Sequence, residues 1–256
     1  MKILKFCLWI LAWPFLSIWL LIEFNSCCVA GRRYKKDPTS STQEERYTKV
    51  GKLVRHFLFW KRVKVNVCGK EKNENKVMLY IANHKSNIDS LVLLKAILSQ
   101  ETIPKLTFVA KEELKNTKIC KIADLLDVIY IDRKNIRQIP NVLDEMVKTL
   151  QNKKTSVCLF PEATRVHGDN FEEFNATLLD CVYQTNMSIQ PTVIYNSDGM
   201  MEKHTSKPVD KTIDVCFMPV INSDKFINVN RNIFMKNLQS QMFNQYQKLK
   251  DNHGKN

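Results

Sequence analysis

The sequence predicts an α/β fold, a mixed central sheet flanked by helices, with an apolar membrane anchor at the N-terminus. Three observations carry this expectation. Short apolar runs alternate with longer segments whose hydrophobic positions recur every three or four residues, the pattern of strands covered by helices. With 256 residues, 44% of them hydrophobic, the chain can bury one full core and still carry an appendage. The uncharged run "FCLWILAWPFLSIWLLI", residues 6–22, is that appendage.

A helix over those residues rises about 25 Å, slightly less than the ~30 Å hydrocarbon core of a bilayer. Pro14 lies mid-run, and Trp9, Trp13 and Trp19 favour the membrane–water interface. A tilted or re-entrant anchor fits as well as a straight span, and a signal peptide cleaved at "CVA" (28–30) is the competing reading. For a span, "GRRYKK" outweighs Lys2 and Lys5 and places the rest of the chain on the cytoplasmic face. The expected division is an anchor at 1–30, a basic and polar linker at 31–42, and a folded domain at 43–256.

Within that domain residues 43–60 read as a helix, with Tyr47, Val50, Val54, Phe57 and Leu58 at helical steps. Its stripe packs on the core, or its basic surroundings rest on lipid head groups. "VKVNVCG" (63–69) alternates as a strand, "KVMLYIAN" (76–83) is a more continuous one, and 88–100 is helical. Strand 106–111, helix 112–126 and strand 128–133 follow. Asn141 can cap a helix whose Val142, Met146 and Leu150 share a face. "TSVCLF" (155–160), "SIQPTVIY" (188–195) and "TIDVCFMPV" (212–220) supply further strands, and 225–250 forms the closing helix.

The formal charge is +13, and residues 31–72 hold thirteen basic side chains against four acidic ones. Such a surface suits acidic partners: nucleic acid, anionic lipid head groups or an acidic carrier. Nucleic acid ranks last, because no recognition motif interleaves the basic residues and an anchor precedes them. The eight cysteines form no C-x-x-C pair, and several sit inside apolar runs such as "SVCLF". Buried thiols are expected, rather than a zinc site or a disulfide framework.

Three polar clusters fall just after strands, where α/β sheets gather their ligand-binding residues: "NHKSNID", "YIDR" and "FPEATR". His84 and Asp89 are five residues apart across a strand-to-helix turn, so the carboxylate can hold one ring nitrogen and leave the other as a base. The same pair fits a helix-capping aspartate beside a loop histidine. Glu162 and Arg165 offer a hydrogen-bond acceptor and a bidentate phosphate fork, or a plain surface ion pair. Arg133 pairs with Asp132 or faces an anionic head group. A metal site is not expected, since the other histidines show no ligand spacing.

Taken together these blocks resemble the glycerolipid acyltransferase family, the 1-acyl-sn-glycerol-3-phosphate acyltransferases above all. "NHKSNID" is similar to the family's N-H-x-S-x-x-D block, "VIYIDR" to its second, "FPEATR" to its F-P-E-G-T-R block and "IQPTVIY" to its fourth. The likeness runs from about residue 45 to 250, in the family's order, and implies a glycerolipid acyltransferase-like fold for the domain at 43–256. It implies a membrane-bound enzyme that moves a fatty acyl group from a thioester, acyl-CoA or acyl carrier protein, to the sn-2 hydroxyl of lysophosphatidate, making phosphatidate. His84 is then the base and Asp89 its orienter. Glu162 and Arg165 bind the glycerol phosphate, Arg133 is a further phosphate contact, and Lys111 another candidate. No metal or bound cofactor is called for, and nothing in the resemblance speaks to oligomeric state.

Two departures bear on the acceptor. Ala163 stands where the third block has glycine, and is strained if the turn needs a positive φ. "NTKICKIADLLD" lacks the proline and glycine that relatives carry there. Glycerol 3-phosphate or another lysophospholipid is the alternative acceptor, and a non-catalytic basic lipid-binding protein the alternative class.

Overall fold

A computed structural model describes residues 2–69, 76–99, 105–201 and 211–253, with side chains from residue 12 onward. The chain opens with α1 (Lys2–Lys36) and α2 (Gln43–Trp60), then β1 (Val63–Cys68), β2 (Leu79–Ala82) and α3 (Asp89–Leu98). β3 (Leu106–Lys111), α4 (Cys120–Leu125), β4 (Ile129–Ile131), α5 (Ile139–Gln151) and β5 (Ser156–Leu159) follow. The fold closes with α6 (Asp180–Thr185), β6 (Ile189–Tyr195), β7 (Lys211–Phe217) and α7 (Arg231–His253).

Among the described residues seven strands form one mixed sheet, in the order β1-β7-β6-β2-β5-β3-β4. β6, β2, β5, β3 and β4 run parallel, β7 is antiparallel to β6, and β1 is parallel to β7. The central strand β2 is buried along its whole length. Tyr80 and Ala82 face the core under α1–α3, while Leu79 and Ile81 face the core under α5–α7. Burial on both faces is why this strand reads as a continuous apolar run instead of an alternation.

α1 does not stop where an anchor was expected to end. It runs unbroken to Lys36, so the first half of the linker expected at 31–42 is helix, followed by a 3-10 turn at Pro38–Ser40. Cys27 and Cys28 are buried in the domain, and Gly31 passes so close to α4 that a Cβ there would sit 1.7 Å from the Lys121 carbonyl oxygen. Tyr34 donates to Asp127 Oδ1 at 2.9 Å, and Arg46 of α2 donates to Leu125 O at 2.7 Å and Asp127 Oδ2 at 3.0 Å. Nearer its start α1 lies along α2: Trp13 stacks on Trp60, and His56 meets Glu23 at 2.6 Å. A capping box at Thr42 and Glu45 opens α2.

Two further expectations are corrected. The helix expected over 112–126 is broken into a 3-10 segment, Glu112–Asn116, and the short α4, because Thr117 turns extended with its N–H and hydroxyl both on Leu114 O. Asn141 does not cap α5. The helix starts at Ile139 with Pro140 in its first turn, where a missing N–H costs nothing. Seven of the cysteines are described, all as free thiols.

Candidate active site

β2 delivers the motif turn. Asn83 extends the pairing of β2 and β6 beyond its backbone ladder: its side-chain N–H donates to Ile194 O at 2.9 Å, and its Oδ1 accepts from Ile194 N at 2.8 Å. His84 comes next, at the carboxyl end of the strand, and Asp89 begins α3, where the helix dipole favours a negative charge.

His84 Nδ1 stands 2.9 Å from Asp89 Oδ2. The same oxygen accepts the backbone N–H groups of Lys85 at 2.7 Å and Ser86 at 2.8 Å. A carboxylate oxygen accepts, so this contact suits the tautomer that carries its proton on Nδ1 and its lone pair on Nε2. Asp89 is fully buried and its Oδ1 has no hydrogen-bond partner among the described residues, which concentrates its bonds on the oxygen facing the ring. The ring stacks on Phe160 with centroids 4.4 Å apart, and Phe160 stacks on Phe108 behind it. The His84 side chain keeps 18% exposure, enough to be reached from one side.

Glu162 is placed differently from a substrate-facing acceptor. It is buried, and its two oxygens accept the backbone N–H groups of His84 at 2.8 Å and Glu172 at 3.1 Å. Val166 N closes the other side of the turn by donating to His84 O at 2.9 Å. Burial raises the Glu162 carboxyl above the usual range, against the pull of those two N–H groups and of Lys85. The glutamate is thus a brace on the His84 backbone. Ala163 adopts φ +60, the left-handed conformation that its alanine resists.

The remaining candidates line the same edge of the sheet. Arg165 is exposed on the loop after β5, one strand from His84. Lys111 ends β3 and Arg133 follows β4, two and three strands away, which at ~4.8 Å per strand is roughly 10 and 14 Å of backbone separation. His84, Asp89 and Glu162 are in direct contact, Arg165 adjoins them, and Lys111 and Arg133 stand further along. Residue-type reasoning missed Asn83, Lys85 and Phe160. Their position inside or beside the motifs was visible, but the partners they meet come from distant segments.

All these residues fall within residues 64–195, which match the family model for acyltransferases. This chain belongs to the acyltransferase family. The acyltransferase is 35% identical over 238 residues to the Mycoplasma genitalium protein named "Probable 1-acyl-sn-glycerol-3-phosphate acyltransferase", covering 90% of this chain and 88% of the relative. A Mycoplasma pneumoniae protein of the same name is 38% identical over 204 residues, covering 78% and 76%. The crystal structure of the 1-acyl-sn-glycerophosphate acyltransferase PlsC from Thermotoga maritima superposes with a TM-score of 0.68 over 98% of both chains, at 18% identity. The acyltransferase therefore shares its fold from α1 to α7.

Proposed function

We propose that this enzyme transfers a fatty acyl group from a thioester, acyl-CoA or acyl carrier protein, to the sn-2 hydroxyl of 1-acyl-glycerol 3-phosphate, producing phosphatidate for phospholipid synthesis. The relatives' names point to the acceptor, and the observation that carries the mechanism is the His84 ring, held by Asp89 through Nδ1 with Nε2 left to accept. His84 Nε2 takes the hydroxyl proton as the oxygen attacks the thioester carbonyl. The C–O bond forms, the tetrahedral intermediate collapses, the C–S bond breaks, and the imidazolium returns its proton to the leaving thiolate. Asp89 stabilises the imidazolium in between. Arg165 grips the acceptor phosphate, with Arg133 and Lys111 able to contribute only by reaching along the sheet edge.

The acceptor is a membrane lipid, and α1 supplies the attachment. Ala12–Lys36 is long and apolar enough to cross a bilayer by length and composition. Phe15, Ile18, Trp19, Leu21 and Ile22 of α1 and Phe59 of α2 are all more than half exposed, an apolar face suited to lipid. The domain then stands on the cytoplasmic side, in keeping with the basic residues that follow the apolar run.

Purified protein supplied with labelled lysophosphatidate and each donor in turn should form phosphatidate with one of them. His84→Ala should abolish the transfer while circular dichroism and Tm stay those of the folded protein. Full activity in that variant rules out the base mechanism. Turnover of glycerol 3-phosphate or another lysophospholipid in place of lysophosphatidate reassigns the acceptor.

A further inference from the structure

Lys85 follows the base in the motif turn, yet its side chain is fully buried. Its ammonium meets the carbonyl oxygen of Asn170 and lies over the rings of Phe171, 5.0 Å away, and Tyr246 of α7, 5.5 Å away. Asn170 and Phe171 belong to the loop that leaves β5, the one carrying Glu162 and Arg165. The loop has other ties: Val166 N to His84 O, Gly168 N to Asp198 Oδ2 at 2.9 Å, and Lys250 to Asp169 at 2.6 Å. The ties at Gly168 and Asp169 are exposed, the Val166 tie holds the buried near end of the loop, and the lysine is buried at its far end.

Burying an ammonium for one carbonyl bond and two ring faces is costly, and an apolar side chain of similar size in such a place is often neutral or stabilising. Burial pulls the Lys85 ammonium below its usual range, while Glu162, Asp198, Asp169 and Asp89 oppose that shift. The charge is therefore poor as a fastening for stability alone. It does join two halves of the site: the turn that holds the base, and the loop that holds the phosphate contact.

We propose that Lys85 is a positioning residue: Glu162 and Val166 fasten the near end of the loop after β5 to His84, and the buried bond of Lys85 to Asn170, with its contacts to Phe171 and Tyr246, fixes the far end against the 84–89 turn, so that the stretch carrying Arg165 is held at both ends beside the base. The proposal rests on the reading of lysophosphatidate as acceptor and Arg165 as its phosphate contact. Without Lys85 the base stays oriented by Asp89, but the loop is held at its near end alone and grips the acceptor phosphate less firmly.

Steady-state kinetics of the full-length enzyme with lysophosphatidate and its working donor test this, using Lys85→Met and Lys85→Gln. Met fills the space without a donor, and Gln keeps a donor for the Asn170 carbonyl. In Lys85→Met the acceptor KM should rise about tenfold or more, the donor KM should stay within about twofold, and Tm should hold or rise. Lys85→Gln should lie between Met and the wild type. An unchanged acceptor KM in Lys85→Met, or acceptor and donor KM rising together with a falling Tm, overturns the proposal and leaves a structural lysine. Failure of the acceptor reading looks different, since the wild type itself then makes no phosphatidate with any donor.

Discussion

His84 is held through its backbone by Glu162 and Val166, through Nδ1 by Asp89 and through its ring face by Phe160. That division makes Asp89→Asn informative, because the amide oxygen can still accept the turn's N–H groups while the charge is lost. Its kcat should fall by about 10³–10⁴ with little change in either KM, measured by steady-state turnover. Glu162 allows a test by pH. Its folded pKa is raised, so the folded protein holds a proton that the unfolded chain releases near the ordinary carboxylate value. The neutral form is favoured below that value, and the advantage is lost as pH rises through the folded one. Tm of the wild type relative to Glu162→Gln should therefore fall as pH rises across that window and then level off. Ala163→Gly should relieve the φ +60 strain and raise stability by about 0.5–1 kcal/mol by urea denaturation, after the extra chain entropy of glycine is offset. The contact between His84 and Asp89 was legible from their spacing, and so was the risk at Ala163, while the catalytic roles came from the resemblance. The inward turn of Glu162 was not, because it depends on Glu172 returning to it across a loop whose path no local pattern encodes.

Helices and strands were legible in the periodicity of their apolar residues, and α2 and β3 fall where that periodicity puts them. Ends were less so. Thr117 breaks the expected helix through a local hydroxyl bond, and Pro140 starts α5 ahead of the asparagine that looked like its cap. The largest misreading concerns α1, whose polar stretch after residue 30 resembled a linker. Burial there comes from α4 and the turn at Asp127, far away in sequence, so composition could not reveal it. The tight crossing at Gly31 gives a direct check. Gly31→Ala should cost about 3 kcal/mol or more by urea denaturation, since its methyl group would overlap the Lys121 backbone and neither helix can yield cheaply.

For the molecule as a whole, the α/β class and the clustering of site residues beyond strand ends followed from the alternation of elements. The strand order did not, and neither did the reversed pair β1 and β7 on one side of the sheet, because pairing partners are chosen by tertiary packing. The exposed apolar face of α1 is where the proposed membrane attachment can be tested. Ile18→Glu and Ile22→Glu should each weaken sedimentation with phospholipid vesicles by about tenfold or more, the transfer energy of one large apolar side chain, while leaving the domain folded. Binding to anionic vesicles should also fall with added salt, as the basic residues beside that face lose their pull on head groups. The close crossing at Gly31 and the Tyr34–Asp127 bond fasten α1 to the domain. With the bilayer attachment proposed above, the His84 turn would keep a constant height and heading above the lipid, and the proposed acceptor would be met by a two-dimensional search among lipids diffusing sideways beneath it. Density of that acceptor per unit of membrane area, rather than its concentration in solution, would then be the variable that sets the rate.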